Sequence, residues 1–343
     1  MSDKILLFLM LFVCNLSYAE NGKELYLEYC SACHGFAGGG GVGVPLNLPS
    51  FINAVDDNFL KKTIKYGRPG RVMESFDFLS EQQISSIVKF ISRWRTKKPP
   101  IFDTKNIRAD IKNGKELYDL KCHKCHGKNG EGAQGTGVAF SRKIDQPILA
   151  PALNNRGFLK SASDEMIKKA IMEGRFSTPM KSFIKQGFSE QDINDIVNYI
   201  RTWEKNEIKN NNIKAENIPA VLQVESESNF DNTVKMVEDA IIGANFVRIR
   251  TTTFESGFVK NPNKKQVVIH FCNFKLLYDA LAADPRVGLF LPCSITITEE
   301  NNKVFLSAGN PKTLSQFFNN NELEYLCDKM TKIYETILED SSL

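Results

Sequence analysis

Two short stretches carry the same chemistry. Cys30, Cys33 and His34 form one Cys-x-x-Cys-His cassette, and Cys122, Cys125 and His126 form a second, 92 positions on. Two thiols at this spacing share one helical turn, and the next residue presents an imidazole beside them. That geometry lets the thiols bond to the two vinyl groups of a porphyrin while the histidine faces its iron, which is the requirement for covalent attachment of c-type haem. A redox dithiol or half a zinc site uses the same two cysteines. The immediate histidine, the glycine after it (Gly35, Gly127) and the duplication favour haem. Cys30, Cys33, Cys122 and Cys125 are therefore the candidate attachment residues and His34 and His126 the candidate iron ligands, for two covalently bound haem c groups.

Each iron needs a ligand on its other side. A methionine there raises the reduction potential and gives an electron-transfer centre. Met73, in GRPGRVMESF, and Met180, in GRFSTPMKSF, occupy matching positions, each three residues before a phenylalanine. A single methionine would read as core filler. Two at one repeat position read as metal ligands, whereas Met166 and Met172 lie on a helix and read as packing. His123, inside the second cassette, is expected to point away from the iron and to be exposed. With both axial positions filled by protein, single electrons are what can pass.

The cassettes belong to a longer repeat. Each follows an Asn-Gly-Lys-Glu-Leu-Tyr lead-in, Asn21 to Tyr26 and Asn113 to Tyr118. Periodicity predicts an opening helix (22–29; 114–121), a Gly-rich stretch, a middle helix (58–65; 164–172), a methionine loop and a closing helix that begins at Ser80 or Ser189. Trp94 and Trp203 sit near the ends of the closing helices. The second unit carries a Gly-rich insertion around residues 133–149. Two small all-α domains follow, at 20–96 and 112–205, joined by a linker at 97–111.

Residues 1–19 have the layout of a secretory signal, with one lysine, an apolar run from Ile5 to Val13 and a small-residue pattern that ends at Ala19. Cleavage is expected after about Ala19, which places the mature chain in the periplasm. The apolar run is shorter than the ~20 residues a membrane span needs, so no stable span is expected. The formal charge of +4 is too small to imply nucleic acid. Its distribution is uneven: eleven Lys and Arg against eight Asp and Glu in residues 20–98, eighteen against thirteen in 99–205, and fourteen against eighteen in 206–343. Lys61, Lys62, Lys65, Arg68 and Arg71 lead into the Met73 loop and form a candidate docking face for an acidic partner.

Beyond a polar linker at 206–216 the pattern changes to short strands and amphipathic helices. Strands are predicted at 220–226, 246–254 and 266–272, with a hairpin turning at Asn301 and Asn302. Helices are predicted from Phe230 to Ala244, over 274–284 and over 321–339. Residues 217–343 therefore read as an α+β domain with a mostly antiparallel sheet. His270 and Cys272 project to one face of their strand. Cys272, Cys293 and Cys327 are an odd set, read either as one disulfide plus a thiol or as three buried thiols.

On these motifs, residues 20–205 resemble two tandem class I cytochrome c domains of the dihaem periplasmic type. The resemblance implies a helical wrap around each haem, and redox protein donors and acceptors in a respiratory chain. The family commonly has Thr-Pro-Met-Pro around its methionine. The second unit keeps Thr178, Pro179 and Met180 but has Lys181, and the first reads Arg71, Val72, Met73, Glu74. Residues 220–338 resemble the domain-of-unknown-function family 302, through Asn273, the turn from Asp284 to Gly288, Leu291, Pro292, Asn310 and Pro311. The expected function is a periplasmic electron relay whose third domain is an adaptor or sensor. The alternative is a haem enzyme acting on peroxide or a small sulfur compound, with one haem as reaction centre and the other feeding it electrons.

Overall fold

The computed structural model describes residues 21–133, 150–176, 178–204, 218–253, 265–318 and 320–343. The signal segment, the Gly-rich insertion after Ala133 and the 206–216 linker lie outside the described residues.

The two N-terminal units are built alike. In the first, α1 (Gly22–Tyr29) leads into the cassette turn α2 (Ser31–His34), followed by α3 (Pro49–Ile52), α4 (Asp57–Tyr66) and α5 (Glu81–Ile91). The second repeats this as α6 (Ile111–Lys121), α7 (His123–His126), α8 (Arg156–Ser161), α9 (Asp164–Glu173) and α10 (Glu190–Thr202). Helix α6 starts three residues before the predicted position because the Asp110 carboxylate accepts from the amides of Lys112 and Asn113. Both closing helices open on capping boxes, Ser80 with Gln83 and Ser189 with Asp192.

The repeated lead-in has a packing cause. A Cβ on Gly22 would lie 2.0 Å from the Ser86 carbonyl oxygen, and one on Gly114 would lie 2.0 Å from that of Asp195. Opening and closing helices thus cross at a distance only glycine allows. The lead-in tyrosines are wholly buried. Tyr26 donates to Gly35 O at 2.6 Å and Tyr118 to Gly127 O at 2.8 Å, which ties each opening helix to the residue after its cassette. Trp94 and Trp203 pack edge-on to these tyrosines, with ring centroids 5.4 and 5.3 Å apart.

The segment 97–111 is not a free tether. Phe102 is buried in the helical core and the Ile107 amide donates to Asp164 Oδ2 at 2.6 Å. One continuous apolar core runs through both helical units.

The C-terminal unit has a second core. Strands β1 (Val221–Ser226), β2 (Val247–Thr253), β3 (Lys265–Cys272), β4 (Cys293–Glu300) and β5 (Lys303–Gly309) form an antiparallel sheet in the order β1-β5-β4-β3-β2. Helices α11 (Phe230–Gly243) and α14 (Glu322–Asp340) pack on one face through Val237, Ile241, Tyr334, Ile337 and Leu338. The β4–β5 turn falls on Asn301 and Asn302, both at positive φ, which suits a tight hairpin. Short helices α12 (Phe274–Ala283) and α13 (Pro311–Ser315) complete the fold. The fold is multidomain, a helical N-terminal region followed by an α+β domain, as the sequence implies. No helix of the described residues is long and apolar enough to cross a membrane.

Candidate haem centres

Each cassette brings its three residues together on one turn. In the first, Cys30 ends α1 and is buried, Cys33 is half-buried, and His34 is 9% exposed. His34 Nδ1 lies 2.8 Å from Val44 O, and His126 Nδ1 lies 3.0 Å from Pro151 O. A carbonyl can only accept, so Nδ1 carries the proton and Nε2 keeps its lone pair for a metal. Burial pushes both imidazoles below the usual histidine range, partly opposed by the bond to the carbonyl. They are therefore neutral, the state that coordination requires.

The His34 ring is also held sterically. A Cβ on Gly43 would lie 2.6 Å from His34 Cε1, so a side chain at this position would displace the imidazole. Cys30 and Cys122 are not activated as redox thiolates are. Burial, and then the neighbouring cysteine, raises Cys30 and Cys122 to about 12. A reactive dithiol needs a lowered value. All seven described cysteines are free thiols. These donors fit two thioether attachments and one imidazole per unit, the set a haem c takes.

The methionine loops share one backbone scheme. The Arg68 amide donates to Met73 O at 2.8 Å and the Arg175 amide to Met180 O at 2.7 Å. Ser75 Oγ donates to Lys65 O at 2.7 Å and Ser182 Oγ to Met172 O at 2.6 Å. The Phe76 and Phe183 amides bond back to Ile64 O and Ile171 O at 3.0 and 3.1 Å. The loops enter through Gly67 and Gly174 at positive φ. Met73 and Met180 thus occupy equivalent, half-buried positions. Met166 is core, as expected, and Met172 packs at its margin.

Two expectations change. His123 is half-buried, its Nδ1 against the Asp119 carbonyl one turn back, because a polar ring at the start of a helical turn satisfies itself on the turn before it. Three of the five basic residues ahead of Met73, namely Lys65, Arg68 and Arg71, are engaged within the chain. Arg68 bonds to Gly67 O at 2.8 Å and Thr63 Oγ1 at 3.0 Å and lies over the rings of Phe59 and Phe158, while Lys65 pairs with Glu81 at 2.5 Å and Arg71 pairs with Glu322. Of the two arrangements left open for the odd cysteines, the one without a disulfide is found. Cys272 is buried and Cys293 interacts with Tyr334. His270 pairs with Arg250 and Ser294 across the sheet. Among the described residues no group of three or more His, Cys, Asp or Glu gathers to hold a metal ion.

Sequence reasoning missed two arginines that brace the units. Arg201 bonds to the buried Asp164 and to Leu159 O at 2.6 Å, and Arg95 reaches Asp57, Ile52 O and Val55 O in the first unit. They hold each closing helix against the start of its middle helix. The Arg at the end of an amphipathic helix was the available signal.

Three stretches of the chain match known family models. Residues 18–91 match the family model "Cytochrome C oxidase, cbb3-type, subunit III", residues 111–204 match "Cytochrome c", and residues 222–341 match "Domain of unknown function DUF302". The chain is similar to the Cbb3-type cytochrome c oxidase subunit FixP of Azorhizobium caulinodans, at 30% identity over 139 residues, covering 36% of this chain and 43% of that protein. It is also similar to subunit CcoP of Helicobacter pylori, at 24% identity over 195 residues, covering 53% and 58%. The chain spans about half the length of the curated relatives it matches. Among solved structures, a reducing HAO-like protein complex of Kuenenia stuttgartiensis matches at 27% identity and TM-score 0.37, over 54% of this chain and 96% of that one. A DUF302 protein of Bacillus stearothermophilus matches at 17% identity and TM-score 0.34, over 36% and 98%. The chain thus carries cytochrome c and cbb3-type cytochrome domains ahead of a C-terminal DUF302 domain.

Proposed function

We propose that the mature chain is a periplasmic relay that carries single electrons between redox protein partners through two covalently attached haem c groups. Cys30 and Cys33 attach the first haem and Cys122 and Cys125 the second. His34 with Met73, and His126 with Met180, ligate the irons. One observation carries this reading: in both units a buried imidazole, fixed through Nδ1 to a backbone carbonyl, comes with a methionine loop folded by the same three hydrogen bonds to backbone carbonyls. Haem, when bound, supplies an iron that changes oxidation state by one electron. The residues around it hold a neutral imidazole and a thioether, the pair that favours reduced iron.

The curated relatives are oxidase subunits, which supports a place in a respiratory chain. Lys124, Lys128, Lys181 and Lys185 are exposed beside Cys125 and Met180 in sequence, which supports an acidic partner docking at the second centre. The first 19 residues support export. In this reading the C-terminal domain is an adaptor or sensor.

The test is the purified mature protein. Two haems per chain and a methionine-to-iron charge-transfer band that accounts for both are the expected result. Met73→Ala and Met180→Ala should each remove half of that band. A five-coordinate haem in the wild type that takes up carbon monoxide would replace the relay with the enzyme reading.

A further inference from the structure

The two methionine loops differ in what holds their tips. In the second loop Thr178 closes the turn from within. Its Oγ1 donates to Arg175 O at 2.8 Å and accepts from the Met180 amide at 3.2 Å. The equivalent residue in the first loop is Arg71. Its amide makes the matching bond to Arg68 O at 2.9 Å, but its side chain leaves the loop. The guanidinium meets Glu322 at the start of α14 and the carbonyl of Glu131 in the second unit. An internal clasp is thus replaced by contacts to two other domains.

The same exchange occurs on the far side of Met73. Lys181 follows Met180, whereas Glu74 follows Met73 and accepts from Arg286 Nη1 at 2.7 Å. Arg286 is itself fixed: the fully buried Asp284 accepts from its Nε at 3.0 Å and Nη2 at 2.8 Å, and its guanidinium lies 4.9 Å over the Phe318 ring. The Gly70 carbonyl accepts from the Asn321 amide at 3.1 Å, and a Cβ on Gly70 would lie 2.7 Å from Asn321 Nδ2. On the other flank Asn155 Nδ2 donates to Pro69 O at 2.9 Å.

Glu322 and Arg286 are about 250 and 210 residues from the loop in sequence, yet they grip the residues two before and one after Met73. We propose that the C-terminal domain positions the ligand of the first centre: Glu322 and Arg286 hold Arg71 and Glu74 on either side of Met73, so coordination there depends on domain docking. Coordination at the second centre is self-contained. Any change in docking therefore shifts one potential of two, which gives an adaptor or sensor domain a physical output. This rests on the ligand assignment made above.

The experiment uses the full-length, haem-loaded protein and reads the oxidised methionine-to-iron band and the two midpoint potentials. Glu322→Gln and Arg286→Ala are each expected to reduce the band by up to half and to lower one potential while the other stays. Loss of a thioether ligand lowers the potential, which sets the sign. A graft of the second loop, Arg71→Thr with Val72→Pro and Glu74→Lys, restores the internal clasp. In that background Glu322→Gln should change nothing further. Wild type with both bands, and single variants with both bands and both potentials unmoved, would overturn the proposal. A wild type without a methionine band at the first haem fails earlier, at the ligand assignment, and the two failures are thereby distinguished.

Discussion

At the scale of single residues, conformation is fixed by what lies within a few ångströms, and two positions make this testable. Gly43 leaves the space in which the His34 ring stands, with only 2.6 Å between a built Cβ and Cε1. Gly43→Ala should therefore misalign the first imidazole and leave the second untouched. A spectrum in which one of two haems turns high-spin would show it. His270 gives a pH dependence. Its Nδ1 is buried without a hydrogen-bond partner, and burial first, then the charge of Arg250, lower its pKa below the usual value near 6.5. The unfolded chain then binds a proton before the folded one does as pH falls. The contribution of His270 is complete above about pH 6.5 and declines below it. Hydrogen-exchange protection of the β3 amides, corrected for intrinsic rates, should fall on acidification in the wild type and fall less in His270→Gln.

At the scale of elements, much was legible because the signals are local. Ser80 and Ser189 marked the starts of α5 and α10, the Asn301-Asn302 pair marked a hairpin, and the methionines were matched by counting along the repeat. The braces were not legible, because nothing local says which carboxylate an arginine will meet. Arg201 and Asp164 are 37 positions apart, and the pair is almost wholly buried on the Asp164 side, at 2% exposure. Removing one partner strands the other charge, which costs about 3–5 kcal/mol, whereas an exposed pair contributes about 0–1 kcal/mol. Arg201→Ala should thus destabilise the second unit by about 3 kcal/mol in denaturant titration followed at Trp203. Lys115→Ala, which removes the exposed pair with Asp119, should leave the unfolding midpoint almost where it was.

At the scale of the whole molecule, sequence supplied only the sign of the attraction between its halves. Basic residues outnumber acidic ones in the two helical segments, and the reverse holds after residue 206. That imbalance fits an acidic partner from outside equally well, which is why Arg71 reads as a docking base until its actual partner, Glu322 of the same chain, is seen. The two pictures respond differently to salt. Attraction between exposed charges is screened within about 8–10 Å at physiological ionic strength, and contacts that are desolvated are screened much less. The Arg71–Glu322 docking pair is of the second kind, at 24% and 22% exposure, while the Arg286–Glu74 pair is half in solvent on its Glu74 side, at 50%. Backbone contacts that carry no charge, such as Asn321 N to Gly70 O, add to them. The radius of gyration of the wild type in small-angle scattering should accordingly stay constant from low salt to well above physiological salt. Arg286→Ala combined with Glu322→Gln should expand it, because the remaining neutral contacts are too few to offset the freedom regained by the released domain. A wild type that expands as salt rises would mean that long-range charge alone holds the C-terminal domain in place.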